Sequence, residues 1–158
     1  MTSVSGTSPA LPAAPGHVFQ TYIRCTPERL WAAITDGAMT REYFHHTTVE
    51  SDWAVGSPVY YRVDSGEAGV AGVVLEIDPP RRLVTTWHFA RDPKAADEPP
   101  SQVTWEIEQQ GEVCRLTLIH DHFDGETYTY QSVGSGWPRV LSSLKSLLET
   151  GHGLDIFE

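Results

Sequence analysis

Basic residues are scarce in this chain. Eleven Lys and Arg stand against 21 Asp and Glu, giving a formal net charge of −10 and a pI near 5.0. No basic cluster interrupts that balance, which argues against nucleic acid and anionic membrane surfaces as partners. Cysteine is nearly absent: only Cys25 and Cys114 occur, far apart and at no metal-ligand spacing. Two reduced thiols in a cytoplasmic protein are the expectation. No apolar run approaches the roughly 18 residues of a membrane-spanning helix. The N-terminus lacks the charged start and the apolar stretch of about 7–15 residues that mark a signal peptide. Missing as well are G-x-S-x-G, the Walker A sequence, G-x-G-x-x-G and H-E-x-x-H, so no catalytic residue, metal or cofactor is nominated by motif. There is no internal repeat.

What remains is a chain of 158 residues, the size of one domain able to bury a core without staples. Residues 1–16, rich in Ser, Thr, Ala, Pro and Gly, read as a disordered tail with too little apolar surface to offset ordering. His17 to Arg24 reads as a strand. Thr26 as N-cap, Pro27 in the first turn and Glu28 at the positive end of the dipole predict a short helix, ended by Asp36 and Gly37. A second short helix is predicted over about Ala38 to Phe44. Strands follow at about Thr47–Trp53, Pro58–Asp64, Gly69–Asp78, Arg82–Ala90, Gln102–Gln109 and Glu112–Phe123, with Pro79-Pro80 and the polar stretch Asp92–Pro100 as breaks. Alternation places Val59, Tyr61 and Val63 together, then Ala71, Val73, Leu75 and Ile77, then Leu83, Thr85, Trp87 and Phe89. It likewise groups Val103, Trp105 and Ile107, then Cys114, Leu116, Leu118, His120 and His122. Asp124 to Ser135 reads as a loop. Gly136 to Gly151 carries Trp137, Val140, Leu141, Leu144, Leu147 and Leu148 at helical spacing, with Pro138 in the first turn and Gly151 as left-handed C-cap. One strand, two short helices, about six strands and a long helix is an α+β order. An antiparallel sheet curled around the last helix covers both apolar surfaces.

TPERLWAAITD, GVVLEIDPPRRLVTTW, CRLTLIHDHF and GWPRVLSSLKSLLETG, in this order and spacing, resemble the START/Bet v 1-like superfamily with the helix-grip fold. The likeness is greatest to bacterial proteins related to the C-terminal domain of the activator of Hsp90 ATPase, and it covers about residues 17–151. It implies a seven-stranded sheet gripping the last helix, with a cavity between them and residues 152–158 as a C-terminal tail. Family members include ligand carriers, cyclase-like enzymes and Hsp90 co-chaperones. The eukaryotic activator has a separate N-terminal domain that binds Hsp90, and the 16-residue leader here is not expected to replace it.

With such a cavity, Tyr61, Trp87 and Trp105 project inward from three strands and fit either a pocket for an apolar ligand or an ordinary core. Leu118, His120 and His122 complete the candidate ligand-binding set, the two imidazoles serving as hydrogen-bonding groups, metal ligands or ordinary satisfied histidines. A catalytic zinc wants a third protein ligand, and spacing supplies none. The leading expectation is binding of a small, mostly apolar molecule. An Hsp90-type chaperone interaction and a cyclase- or hydrolase-like activity through a cavity histidine are the alternatives, and no metal or cofactor is expected.

Overall fold

The computed structural model describes residues 15–157. Most of the expected N-terminal tail, residues 1–14, and the final residue lie outside the described residues. Strand β1 (His17–Ile23) leads into α1 (Pro27–Thr35) and α2 (Gly37–Tyr43). Six strands follow: β2 (Thr48–Ser51), β3 (Pro58–Arg62), β4 (Ala68–Asp78), β5 (Arg82–Phe89), β6 (Ser101–Gln110) and β7 (Val113–Asp121). Helix α3 (Tyr128–Thr150) closes the fold. The strands form one antiparallel sheet in the order β1-β7-β6-β5-β4-β3-β2. The sheet curves around α3, which presents Val133, Trp137, Val140, Leu141, Leu144, Leu147 and Leu148 to its inner face. This is the α+β helix-grip arrangement.

The short helices start where their caps dictate. Thr26 Oγ1 accepts from the Arg29 N–H at 3.2 Å, and Pro27 occupies the first turn, where a missing donor is harmless. Asp36 then caps α2 by accepting from Ala38 N–H at 2.8 Å. Gly151 ends α3 at φ 89°, a left-handed conformation that favours glycine.

Helix α3 differs from expectation at its other end. It begins at Tyr128, so part of the segment read as loop is helical, and Pro138 lies deep inside the helix rather than in its first turn. Gly134, Gly136 and Pro138 are poor helix formers, and Pro138 leaves the Gly134 carbonyl without its usual donor. External contacts hold the weak turns. Thr127 Oγ1 accepts from Tyr130 N–H at 3.1 Å, while Glu98, from the loop after β5, accepts from Tyr128 N–H at 3.0 Å and from the Thr129 hydroxyl. His17 of β1 donates from Nε2 to the Tyr130 carbonyl at 2.8 Å and lies against Gly134, where a Cβ would come within 3.1 Å of the imidazole. Glu98→Ala should therefore lower stability by about 1–2 kcal/mol, the scale of a lost N-terminal cap strengthened by charge. Urea denaturation measures it, with Glu98→Gln retaining part of the loss.

The phase of β4 also needs correction. Val70 and Val74 are the buried residues, whereas Val73 and Leu75 are each 39% exposed. A bulge between Val74 and Glu76 inserts an extra residue into the pleat, so Ile77 returns to the core side after it. The other strands keep the expected faces, except at the end of β7. There the backbone leaves the strand after Asp121, and His122 takes φ 62°. Residues 152–157 fold back on the domain: Leu154 N–H donates to Ser143 Oγ at 2.9 Å, Ser146 donates to the His152 carbonyl at 2.7 Å, and Phe157 meets His45 at 4.5 Å between ring centroids.

Candidate functional site

A cavity of about 280 Å³ lies between the sheet and the first half of α3. Its walls come from α3 (Ser132, Val133, Gly136, Trp137, Val140), from β3 to β5 (Tyr61, Gly69, Val70, Trp87, Phe89) and from the turn after α2 (Phe44, His45, Thr47). Each wall follows from local structure. Period two turns Tyr61, Val70, Trp87 and Phe89 inward from their strands, and i, i+4, i+7 spacing lines up Val133, Trp137 and Val140 on the helix. The turn holding Phe44 ends on two consecutive left-handed residues, His45 at φ 52° and His46 at φ 57°. Left-handed backbone at non-glycine positions is disfavoured and persists only where the surroundings hold it. Here Arg41 donates to the His46 carbonyl at 3.2 Å, and Thr47 Oγ1 donates to the Phe44 carbonyl at 2.7 Å.

The lining is aromatic and uncharged. Phe44 stacks on Tyr61 at 4.8 Å, Tyr61 meets Trp87 at 5.5 Å, and Trp87 meets Trp137 at 5.3 Å. Burial raises the Tyr61 phenol above its ordinary value, so it stays neutral. His45 reaches solvent at the rim. Its partial burial, with repulsion from His46 and Arg139, lowers its pKa and favours the neutral ring. The Trp87 indole nitrogen is buried and has no hydrogen-bond partner.

Of the six residues expected to bind ligand, Tyr61 and Trp87 line this cavity. Trp105 and Leu118 do not: they are buried opposite one another across the β6–β7 ladder, and Trp105 meets the edge of Trp137 at 5.6 Å. They form the floor on which Trp137 rests.

His120 points inward as expected, yet both its nitrogens are taken. Trp137 Nε1–H donates to Nδ1 at 2.9 Å, so the proton sits on Nε2 and is donated to Ser101 Oγ at 2.7 Å. The Ser101 hydroxyl passes its own proton on to the Trp87 carbonyl at 3.3 Å. Burial, then the nearby His17, pushes the His120 pKa down to about 3. A neutral imidazole bonded on both sides is a core strut rather than a ligand donor.

His122 is a plain correction. It does not share the inward face; its side chain is 63% exposed and contacts Asp121 at 2.8 Å. Alternation requires strand backbone, and the strand has ended. Among the described residues no three His, Cys, Asp or Glu side chains group as metal ligands, and no helix is long and apolar enough to cross a membrane. Cys25 and Cys114 are free, with the Cys114 thiol donating to the Cys25 carbonyl at 3.3 Å. Burial, reinforced by Cys114, pushes the Cys25 thiol up to about 12, far from a reactive thiolate.

A curved seven-stranded sheet gripping one long helix defines the class, and comparison with known proteins places the chain within it. The profile of the family "Activator of Hsp90 ATPase homolog 1-like protein" matches residues 24–149, and the chain belongs to that family. It is similar to the crystal structure of protein MLL2253 from Mesorhizobium loti, at 26% identity and a TM-score of 0.72 over 85% of this chain and 96% of that one. The solution structure of the Aha1 dimer from Colwellia psychrerythraea shares the fold at 17% identity and a TM-score of 0.72, over 89% and 100%. So does PFC0360w, an Hsp90 activator from Plasmodium falciparum, at 22% identity and a TM-score of 0.70, over 87% and 96%. No curated protein gives a significant match.

Proposed function

We propose that the protein binds a small, mostly apolar molecule in the cavity beneath α3, with Tyr61, Trp87, Phe44 and Val133 as its principal contacts. The carrying observation is the cavity of about 280 Å³ walled by five aromatic side chains and three valines, with His45, Thr47 and Ser132 as its polar groups besides Tyr61 and Trp87. Ligand sites have this character: apolar walls and a few placed polar groups, beginning at volumes of about 300 Å³. A core packed to ordinary density leaves few voids larger than a water molecule.

Gly136 offers a clean test. It lines the cavity, and a Cβ built there meets nothing within 4 Å. Gly136→Phe should fill the space from the helix side without a backbone clash. Helix propensity favours the change by about 0.5 kcal/mol, since glycine is among the poorest helix formers. N-phenyl-1-naphthylamine, a neutral probe that brightens in apolar surroundings, should fluoresce with the native protein and lose at least about tenfold in affinity with Gly136→Phe. Equal binding by both proteins would place the probe elsewhere. The family also suggests a chaperone role. With a net charge of −10 and no basic cluster in its sequence, the chain offers little for electrostatic docking, and we expect Hsp90 ATPase activity to be unchanged by the protein; clear stimulation would move the interaction role ahead of ligand binding.

A further inference from the structure

We propose that the Trp87 indole N–H selects the ligand, and that the ligand is an uncharged, ring-bearing molecule with a hydrogen-bond acceptor, of which an aryl ketone is the simplest form. The inference rests on the cavity reading and narrows it.

Buried polar groups are almost always partnered. Among the described residues, Trp87 Nε1 is the one buried side-chain nitrogen or oxygen without a partner. The neighbouring indole makes the contrast informative. Trp137, with its ring centre 5.3 Å away, gives its N–H to His120 Nδ1 at 2.9 Å. The remaining His120 nitrogen is engaged by Ser101, and Ser101 is engaged by the Trp87 carbonyl. The polar chain through this core is thus closed, and it leaves the Trp87 N–H out. Trp87 is a wall of the cavity and its Nε1 is itself fully covered, so a small rotation of the ring towards that space would let an occupant bring the missing acceptor.

The rest of the wall sets the remaining chemistry. None of the lining residues is Asp, Glu, Lys or Arg. A carboxylate or ammonium group carried into the interior would find no countercharge, at a large desolvation cost. Rings suit the walls because Trp87 is already set among Phe44, Tyr61 and Phe89 at 6.0, 5.5 and 6.2 Å. Aromatic faces and edges at such spacings accept another ring in offset or edge-on geometry. An indole N–H only donates, so the ligand must accept. These features select a neutral ring system with a carbonyl over a fatty acid or a charged metabolite.

The test uses 2-acetylnaphthalene, 2-isopropylnaphthalene of similar shape without oxygen, and 2-naphthoate. Each is titrated into the full-length protein carrying 15N-labelled tryptophan, and the indole resonances and affinities are followed. The ketone should move the Trp87 indole N–H resonance in the direction of hydrogen bonding, and the hydrocarbon should not. In Trp87→Phe, which keeps a ring and removes the N–H, the ketone-to-hydrocarbon affinity ratio should fall about 3- to 10-fold, the range of one neutral hydrogen bond. If that variant does not fold, the native protein's indole shifts decide alone. An unchanged ratio, or identical shifts with both neutral probes, would overturn Trp87 as the selecting donor while leaving the cavity reading intact. Tighter binding of naphthoate than of the ketone would overturn the uncharged class. Failure of every probe to bind at saturation would remove the cavity reading and this inference with it.

Discussion

Trp137→Ala is expected to destabilise the protein by about 3–5 kcal/mol, the upper range for truncating a buried aromatic. Trp137 is 3% exposed and sits where the helix, sheet floor and cavity meet. Its ring contacts Phe44 at 5.5 Å, Trp87 at 5.3 Å, Trp105 at 5.6 Å and His120 at 6.0 Å. The void left behind would merge with space that is already open, so the walls have little reason to collapse into it. The change also strips His120 Nδ1 of its donor. Trp137→Phe separates the two effects: it keeps most of the packing and should cost about 1–3 kcal/mol, the penalty of a buried acceptor left unpaired. At about 2–4 °C per kcal/mol for a chain of this size, the alanine variant should melt about 6–20 °C lower. Calorimetry or denaturant titration measures both. A loss below about 1 kcal/mol for Trp137→Ala would mean that the helix does not rest on this residue.

The second large effect is acid sensitivity that begins well above the range of carboxylates. An unfolded chain protonates the His120 imidazole below its ordinary value of 6.5, whereas the native ring resists protonation down to about 3. Between those limits the unfolded state binds the extra proton, so stability falls as pH falls and is fully present only above about 6.5. Within that window the loss approaches 1.4 kcal/mol per pH unit. Geometry reinforces the direction, because a proton on Nδ1 would face the Trp137 N–H. His45, also lowered from 6.5, adds a contribution of the same sign. Asp92 and Glu149, both lowered, contribute stability of their own that is lost only below the ordinary carboxylate range. Urea midpoints at pH 7, 6 and 5 should therefore decline in the native protein. They should decline much less in His120→Gln, which cannot titrate, with His45→Gln separating the smaller part. A flat native profile from pH 7 to 5 would contradict the closed His120 network.

Reading the sequence recovered the architecture because period two and period 3.6 are properties of neighbouring residues. The caps at Thr26 and Gly151 are equally local and are found in place, and Asp36 ends α1 as read while also capping α2. The misses in the secondary structure have mainly nonlocal causes. The segment before Gly136, Gly134 included, reads as a loop, and contacts from Glu98, Thr127 and His17 hold it as helix. Thr127 was a visible capping signal; Glu98 and His17 come from other parts of the chain. The bulge in β4 is a matter of pairing with β5, which strand alternation alone does not record.

The candidate site divides in the same way. Tyr61 and Trp87 were legible because strand phase sends them inward. Strand phase also sent His120 inward, but it could not say that Trp137 and Ser101 would engage both ring nitrogens. For His122 the phase itself expired with the strand. Phe44 and His45 escaped notice because a two-residue turn in left-handed backbone places them, and a His-His dipeptide after a short helix carries no such signal. Val133 was hidden with the helix start to which it belongs.

Intermolecular nuclear Overhauser effects show whether an apolar molecule occupies the space under α3. N-phenyl-1-naphthylamine is mixed with protein labelled at valine methyls, and contacts from probe protons are assigned. Occupancy of the cavity predicts contacts to Val70, Val133 and Val140, which reach it from one strand and two turns of the helix. Contacts confined to Val18, Val55 and Val73, which are 61%, 67% and 39% exposed, would put the probe on the surface and contradict the account.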